Sequence, residues 1–506
     1  MTAPDGVVQT RSARPSTRLL ARNSLLNVAG QVGPIAVAVF AVPVLVHALG
    51  TDRFGILTLA WTAIGYFSLF DLGLSRALTQ SISAAIGGGR DDTLPVLSVT
   101  ALGVMTLFGL IGGMVIAALS PTIIDRILNI PSTLRAETLS SFYLLCVSLP
   151  FVLATAGLRS LFEAHQEFGI ATALRVPYAI FNFVAPLAVL PFSHSLVPVV
   201  AILVAGRVAT CIAHYVVARW RYAFLRTRAP FDRAVVMPLL RTGGWMTVSN
   251  IVSPLMVNFD RFVVGALLTI SAVAYYATPY DMVMKLLLVP AALLGVLFPA
   301  FAASFEHDRT HTALLFDRTV RLMLLAMFPP VLILVTFAHE GMQLWLGPEF
   351  ARQSASVVQW LAAGVLINSI GQIGFAVVQG VGRADLTAKL HGIELPIYTV
   401  VLFALTRTLG LTGVAIAWTF RVTVDTGALL WLCGRRLPEA RPALWRSVRA
   451  FAVALAVLAT ATVPTHLGTR ILYGGVVLTT FGVVGWLQLL RREERSALLR
   501  LRLQAP

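Results

Sequence analysis

The sequence predicts an all-α integral membrane protein with about fourteen transmembrane helices: two pseudo-symmetric six-helix lobes followed by a C-terminal helix pair. Three observations predict it. The 506 residues are 57% hydrophobic and only 12% charged, with a mean hydropathy of +0.81. Long apolar stretches recur along the whole chain, and a helix needs about 20 such residues to cross roughly 30 Å of hydrocarbon. Most basic residues fall between alternate stretches, the charge pattern that orients a multi-spanning chain.

In order, the apolar stretches predict helices over roughly 24–48, 55–75, 95–119, 139–158, 173–191 and 196–218. A second set follows at roughly 244–267, 280–304, 320–338, 354–378, 389–406 and 412–433. A last pair covers roughly 448–464 and 470–490. The first stretch is too long for the apolar core of a secretory leader and lacks a small-residue cleavage site, so it is read as span one. The glycines Gly87, Gly88 and Gly89 read as a flexible loop; no strand precedes them and no Lys-Ser/Thr follows, as a phosphate cradle would require.

With fourteen spans, the N-terminal arm (Arg11, Arg14, Arg18, Arg22), the 219–241 loop, the 435–449 loop and the C-terminal tail all face one side. That side holds 29 basic residues; the other holds six, Arg53, Arg126, Arg135, Arg352, Arg407 and Arg470. The positive-inside rule then puts both termini in the cytoplasm. The net charge of +16 is accounted for by residues beside span ends, where they meet anionic lipid heads. No nucleic-acid partner is expected.

The halves echo each other. Arg22 and Pro34 of span one correspond to Arg241 and Pro254 of span seven, and EAHQEFGIATAL from Glu163 corresponds to QGVGRADLTAKL from Gln379, at offsets of 220 and 216. The expected division is an N-lobe at 1–218, a cytoplasmic linker at 219–243, a C-lobe at 244–433, and a C-terminal helix pair with a basic tail at 434–506. Parallel repeats of this kind place a transport site between halves near the bilayer midplane.

Charges inside spans cost about 2.5–3.5 kcal/mol each at the bilayer centre. The candidates are Asp71, Arg207, Asp260, Arg261, Asp281, Lys285, Glu394, Arg421 and Asp425. They must pair or face an aqueous cavity. Asp281 with Lys285, and Arg421 with Asp425, have the i,i+4 spacing of a helix-face pair; each pair is either helix glue or part of a pathway. Asp71 with Arg76 reads as a helix-end pair. Span seven carries Asn250, Pro254, Asn258 and Arg261 on one stripe, span one Asn23, Asn27, Gln31 and Pro34, and span ten Asn368, Gln372 and Gln379. One polar stripe would be hydrogen-bond glue; three suggest a shared hydrophilic lumen. The cysteines Cys146, Cys211 and Cys433 lie in apolar spans without metal-ligand spacing and read as packing residues. The single histidines His47, His165, His194, His214 and His391 form no metal-spaced cluster and read as interfacial or packing groups. No cofactor is expected.

The stretches at 22–80 and 243–301, above all LFDLGLSRA (69–77) and NFDRFVVG (258–265), resemble the polysaccharide transporter family of the multidrug/oligosaccharidyl-lipid/polysaccharide exporter superfamily. The resemblance spans roughly residues 20–435 and is diffuse. It implies two six-helix lobes working by alternating access. It also implies a flippase, not an enzyme, that carries undecaprenyl-pyrophosphate-linked oligosaccharide outward for lipopolysaccharide O-antigen, capsule or exopolysaccharide biosynthesis. Polysaccharide polymerase and glycosyltransferases would be its functional partners, with H+ or Na+ as coupling ion. For such a cargo Arg207, Arg261, Lys285 and Arg421 are the expected pyrophosphate-facing cations, since guanidinium suits phosphate oxygens. Asn250, Asn258, Asn368 and Gln372 would meet sugar hydroxyls. Asp71, Asp260, Asp281, Glu394 and Asp425 would neutralise cations or carry the coupling proton.

Three other functions fit the same class. A lipid II flippase would explain the two extra helices. A cation-coupled multidrug exporter would need a more acidic site than five acids against four bases provide. A membrane polysaccharide polymerase would need a large outward loop, and the segments at about 120–138 and 339–353 are too short to fold as a catalytic domain.

Overall fold

A computed structural model of the chain describes residues 17–66, 71, 73–227, 229–305, 308–380, 383–490 and 495. Within these, the side chains of 17–32, 241–257, 296, 298–300, 302–303 and 384 are not described. The expected roles of Arg11, Arg14, Arg491, Arg492, Arg500 and Arg502, and of the side chains of Arg18, Arg22, Asn23, Asn27, Gln31, Arg241, Asn250 and Pro254, therefore lie outside the described residues.

Among the described residues the regular elements are all helices, joined by short turns, with no strand. Eleven of their helices are long and apolar enough to cross a membrane. Two of the eleven are bent by a glycine with positive φ. The first helix, α1 (Thr17–Tyr66), turns at Gly50 (φ 75°, ψ 163°). Its counterpart late in the chain, Ala384–Arg436, turns at Gly410 (φ 60°, ψ −138°). Only glycine takes such angles without a steric cost, so one continuous helix in each case becomes two legs.

The elements repeat. After α1 come α2 (Leu74–Gly87), α3 (Leu94–Thr122), α4 (Ser132–Ala164), α5 (Phe168–Val189) and α6 (Leu196–Arg221). Then follow α7 (Arg233–Leu267), α8 (Ile270–Met284), α9 (Leu288–Phe305), α10 (Arg309–Thr336), a short α11 (Ala338–Leu346), α12 (Pro348–Gly380) and α13 (Ala384–Arg436). Helices α4 and α12 both have 33 residues and begin at 132 and 348, 216 residues apart. The turns that follow them are closed by matching backbone bonds at that shift. Glu167 N–H donates to Phe162 O at 2.8 Å, as Arg383 N–H does to Val378 O at 3.2 Å. Ile170 N–H donates to Glu167 O at 3.1 Å, as Leu386 N–H does to Arg383 O at 3.1 Å. The first bond of each set is the six-to-one closure that satisfies a helix-end carbonyl; in the first turn Gln166 supplies the left-handed residue (φ 57°). The repeat predicted from EAHQEF and QGVGRAD is therefore built into the backbone.

One span differs from its predicted form. Sequence apolarity predicts a continuous helix over 55–75, whereas among the described residues Asp71 lies in a 3₁₀ turn and a new helix, α2, begins at Leu74. Gly73 is left-handed (φ 70°). Asp71 Oδ1 accepts the Ser75 amide at 3.1 Å, and Asp71 Oδ2 accepts the Ser75 hydroxyl at 2.5 Å. A carboxylate that takes a first-turn N–H starts a new helix, so the apolar run is broken from within. In the second half a 3₁₀ turn at Lys285–Leu287 joins α8 to α9, with the backbone right-handed at Met284, Lys285 and Leu288.

The chain forms two compact units. One comprises 1–48, 67–118 and 140–246; the other 49–66, 119–139 and 247–506. In the first, Leu74, Leu78 and Ile82 of α2 pack with Met105 of α3 and Leu158, Leu161 and Phe162 of α4 in a buried cluster. Gly109 and Gly113 let α3 close on α4: a Cβ at Gly113 would lie 2.8 Å from Cys146 O. This is the small-xxx-small packing that membrane helices use.

In the second unit α12 lies against the second leg of α13 along Gly364, Gly371 and Gly374, which face Trp418, Thr426 and Leu429. Asn129 closes the C-terminal end of α7: its N–H donates to Gly265 O at 2.9 Å, and its Nδ2 donates to Ala266 O at 2.9 Å and Leu268 O at 2.8 Å. Those carbonyls have no partner within their own helix. The C-terminal pair, α14 (Arg441–Thr460) and α15 (Leu467–Val484), is fastened to α10 and α11. Arg446 pairs with Asp317 at 3.2 Å, Arg321 Nη1 donates to Leu489 O at 2.6 Å, and Arg470 binds both oxygens of Glu340 at 2.7 Å. Between α10, α14 and α15 lies an apolar groove of about 470 Å³, lined by Phe328, Val453, Val457 and Phe481.

Candidate functional site

Most of the intramembrane charges predicted from sequence gather in the second unit. Near its end α7 carries Asp260 and Arg261. Asp260 is fully buried and Arg261 is 5% exposed. The Arg261 guanidinium is held from three sides. Nη1 donates to Thr62 Oγ1 at 3.0 Å, Nη2 pairs with Asp281, and the group lies over the Tyr280 ring at 5.3 Å. Asp260 accepts the Tyr276 hydroxyl at 2.5 Å and the Arg261 backbone N–H at 2.8 Å. Tyr276, Tyr280 and Asp281 all come from α8, the tyrosines four residues apart and so on one face. Their rings contact each other at 5.7 Å, and Tyr280 meets Trp418 edge-on at 6.1 Å.

The two legs of α13 supply the rest. The first leg presents His391, Glu394 and Tyr398; the second presents Trp418, Arg421 and Asp425. The hairpin at Gly410 brings these faces together. Arg421 lies over the Tyr398 ring at 5.5 Å, and its Nε has no hydrogen-bond partner. Asp425 Oδ1 stands 3.7 Å from His391 Nε2. Glu394 is 4% exposed; no N–H or O–H donor reaches its carboxylate oxygens, and its carboxyl group lies beside that of Asp425. The Arg261 and Arg421 guanidinium groups both act electrostatically on Asp260, which links the two groups of residues.

The i,i+4 pairs read from the sequence resolve differently. Asp281 pairs with Arg261, and Lys285, one turn on, is exposed. Asp425 faces His391, and Arg421 faces an aromatic ring. In both cases the partner comes from a neighbouring helix or leg. Asn368 and Gln372 satisfy each other one turn apart on α12, Gln372 Nε2 donating to Asn368 Oδ1 at 2.8 Å. Asn258 is half-buried.

Two sequence candidates belong to the first unit. Asp71 caps α2, as described above. Arg207 lies over the Tyr178 ring at 5.3 Å, with its Nε unpartnered.

Sequence reading missed the aromatic walls, Tyr276, Tyr280, Tyr398 and Trp418, because aromatic residues in an apolar run resemble packing. It also missed His391, whose neighbours are set by tertiary register. A weak signal was available: His391 and Glu394, three residues apart, share a helix face.

The described helices and their buried charges define a multi-pass membrane protein built on a six-helix repeat, with ionisable residues concentrated in its second half. The sequence profile of the family described as "Polysaccharide biosynthesis protein" matches residues 20–305. That is more than half of the chain, and the chain belongs to this family. A relative named "Putative O-antigen transporter", from Shigella flexneri, is 28% identical over 418 residues, covering 82% of this chain and 97% of the relative. The "Uncharacterized membrane protein EpsK" of Bacillus subtilis (strain 168) is 23% identical over 395 residues, 76% of each chain.

Among solved structures, a multidrug resistance MATE family transporter of the MOP superfamily in its inward-facing conformation matches with a TM-score of 0.70 at 15% identity. It covers 80% of this chain and 95% of that one. The lipid II flippase MurJ, in an inward closed conformation, matches with a TM-score of 0.67 at 12% identity, covering 93% and 100%. The fold is the one these transporters share.

Proposed function

We propose that the protein is a flippase of the bacterial inner membrane. It translocates undecaprenyl-pyrophosphate-linked oligosaccharide units outward by alternating access, for O-antigen, capsule or exopolysaccharide synthesis. The observation that carries the reading is the buried Asp260–Arg261 pair with the half-buried Arg421 beside it, walled by Tyr276, Tyr280, Tyr398 and Trp418, in a chain whose family is concerned with polysaccharide biosynthesis. A relative bearing the name of an O-antigen transporter aligns over most of both chains.

The chemistry fits. A sugar pyrophosphate is polar and anionic; guanidinium groups bind its phosphate oxygens and aromatic faces stack on sugar rings, while the polyprenyl tail stays in lipid. In this reading Arg261, Arg421, Lys285 and Arg207 face the pyrophosphate, and Asn250, Asn258, Asn368 and Gln372 meet hydroxyls. Asp71, Asp260, Asp281, Glu394 and Asp425 balance the cations or carry a coupling H+ or Na+. The chain crosses the membrane fourteen times with both termini cytoplasmic. Division of two apolar helices at Gly50 and Gly410, together with the 35-residue α7, supports that count. Glycosyltransferases and a polymerase would act before and after it.

A second reading, lipid II as cargo, is favoured by one observation: the MurJ match extends over 93% of the chain.

The test is Arg421→Gln, expressed in a strain whose surface polysaccharide depends on this protein. Surface polysaccharide falls at least about tenfold, the effect of losing roughly 1.4 kcal/mol of cargo binding, while the amount of protein in the membrane is unchanged. Normal surface polysaccharide in that variant would remove Arg421 from the site. Continued peptidoglycan synthesis on depletion of the protein separates polysaccharide cargo from lipid II.

A further inference from the structure

We propose that His391, Glu394 and Asp425 form a binding site for a divalent transition-metal ion of the zinc class. Each offers one ligand atom, and the three atoms lie within 4.8 Å of one another. His391 and Glu394 sit three residues apart on the first leg of α13, and Asp425 comes from the second leg. A metal at about 2.0–2.2 Å from nitrogen and oxygen ligands needs only side-chain rotation to draw the three atoms together.

An independent observation points to a ligand. Glu394 is 4% exposed, yet no N–H or O–H from outside the cluster reaches either of its carboxylate oxygens or Oδ1 of Asp425, and its carboxylate lies against that of Asp425, two acidic groups with no donor between them. Buried carboxylate oxygens are costly unless paired or bound to an ion. Such groups in folded proteins call for a specific explanation, an ion among them.

The donor set selects the class of ion. Imidazole with two carboxylates suits zinc and its neighbours, whereas calcium and magnesium take oxygen donors only. Phe375 stacks on His391 at 6.2 Å with 9° between the planes, which fixes the direction of its ring. The two carboxylates outnumber the one nearby cation, Arg421, whose guanidinium is turned over the Tyr398 ring. Three protein ligands leave a fourth position open to water. The bound ion ties the two legs of α13 together and stiffens the hairpin that carries Trp418 and Arg421. The proposal is independent of the transport reading, because its test needs no cargo.

The test uses the full-length, untagged protein in nanodiscs, stripped with chelator and titrated with Zn2+, Co2+, Ca2+ and Na+. One Zn2+ binds per chain and raises Tm, and Co2+ at the same site gives visible absorption bands. His391→Gln, Glu394→Gln and Asp425→Asn each weaken zinc binding at least about tenfold, since even an outer-shell change costs 10–100-fold, and each removes the cobalt bands. Should Glu394→Gln not survive purification, His391→Gln, at a ring 32% exposed, carries the same comparison. Zinc affinity unchanged in the three variants, no zinc binding by the wild type, or equal binding of Ca2+ or Na+ without a cobalt spectrum would each overturn the proposal.

Discussion

Arg261→Gln abolishes export and lowers stability by about 2–3 kcal/mol. That is below the ~3–5 kcal/mol of breaking a wholly buried ion pair, because Asp281 stays 55% exposed and water screens it. The substitution removes the cation beside the fully buried Asp260 and the donor to Thr62 Oγ1. It also empties the space over the Tyr280 ring. Asp260 then keeps only the Tyr276 hydroxyl, the Arg421 charge and one backbone N–H.

The double variant Asp260→Asn/Arg261→Gln separates the two effects. Asparagine Oδ1 still accepts the Arg261 backbone N–H, its Nδ2 donates to the Tyr276 hydroxyl oxygen in place of accepting from it, and no buried charge is left uncompensated. Melting of the purified double variant therefore recovers most of the loss, while surface polysaccharide stays absent. If the single variant exports normally, the buried guanidinium is structural only. If the double variant recovers export along with stability, Arg261 has no role toward cargo.

Gly364→Ala has the other large effect, with a sign opposite to the usual one. In a helix interior, Gly→Ala ordinarily stabilises by roughly 0.5–1 kcal/mol. Here the new Cβ would lie 2.5 Å from Cζ3 of Trp418 and 2.9 Å from Thr419 Oγ1. Thr419 also donates to Trp360 O at 2.9 Å, so α12 and α13 are bonded at the point of closest approach. Overpacking of this kind costs about 1–3 kcal/mol. The displaced indole pushes on Tyr280 and, through it, on Arg261.

The expected result is a loss of folded protein in the membrane and a lower Tm, with residual protein impaired in export. Trp418→Phe in the same background restores part of the loss by removing the atom that clashes. Gly427→Ala, on the same helix as Trp418 but with nothing within 4 Å of the added carbon, keeps or slightly raises Tm and leaves export at the wild-type level. A Gly364→Ala protein as stable as wild type would show that α12 and α13 do not approach so closely.

The fold was legible because the bilayer imposes one dominant rule: spans must be apolar and their backbone internally bonded. Apolar runs and Arg-rich loops reveal that directly, and the repeat showed itself in two short motifs. The break just before Leu74 was not legible. It depends on Asp71 taking the Ser75 amide, and the surrounding residues are as apolar as any span.

Within the site, charge positions were legible and partners were not. The i,i+4 rule describes an isolated helix in water. Inside the second unit, the nearest partner of Asp281 is the guanidinium on α7, and that of Asp425 is an imidazole on the other leg of α13. His391 was read as packing because one of its two acidic neighbours, Asp425, is brought to it by the hairpin at Gly410, which no linear spacing encodes. The aromatic rings around the arginines were hidden for the same reason: tyrosine and tryptophan in an apolar run look alike whether they face lipid, core or ligand.

The most direct measurement reconstitutes the purified protein in liposomes carrying an undecaprenyl-pyrophosphate-linked oligosaccharide in one leaflet and follows its appearance in the other. The account predicts protein-dependent movement of the lipid-linked sugar that is lost with Arg261→Gln, and no uptake of a cationic dye under the same conditions. Dye transport with the sugar lipid left in place would contradict it, because a cluster built around Arg261 and Arg421 would then be serving a cation.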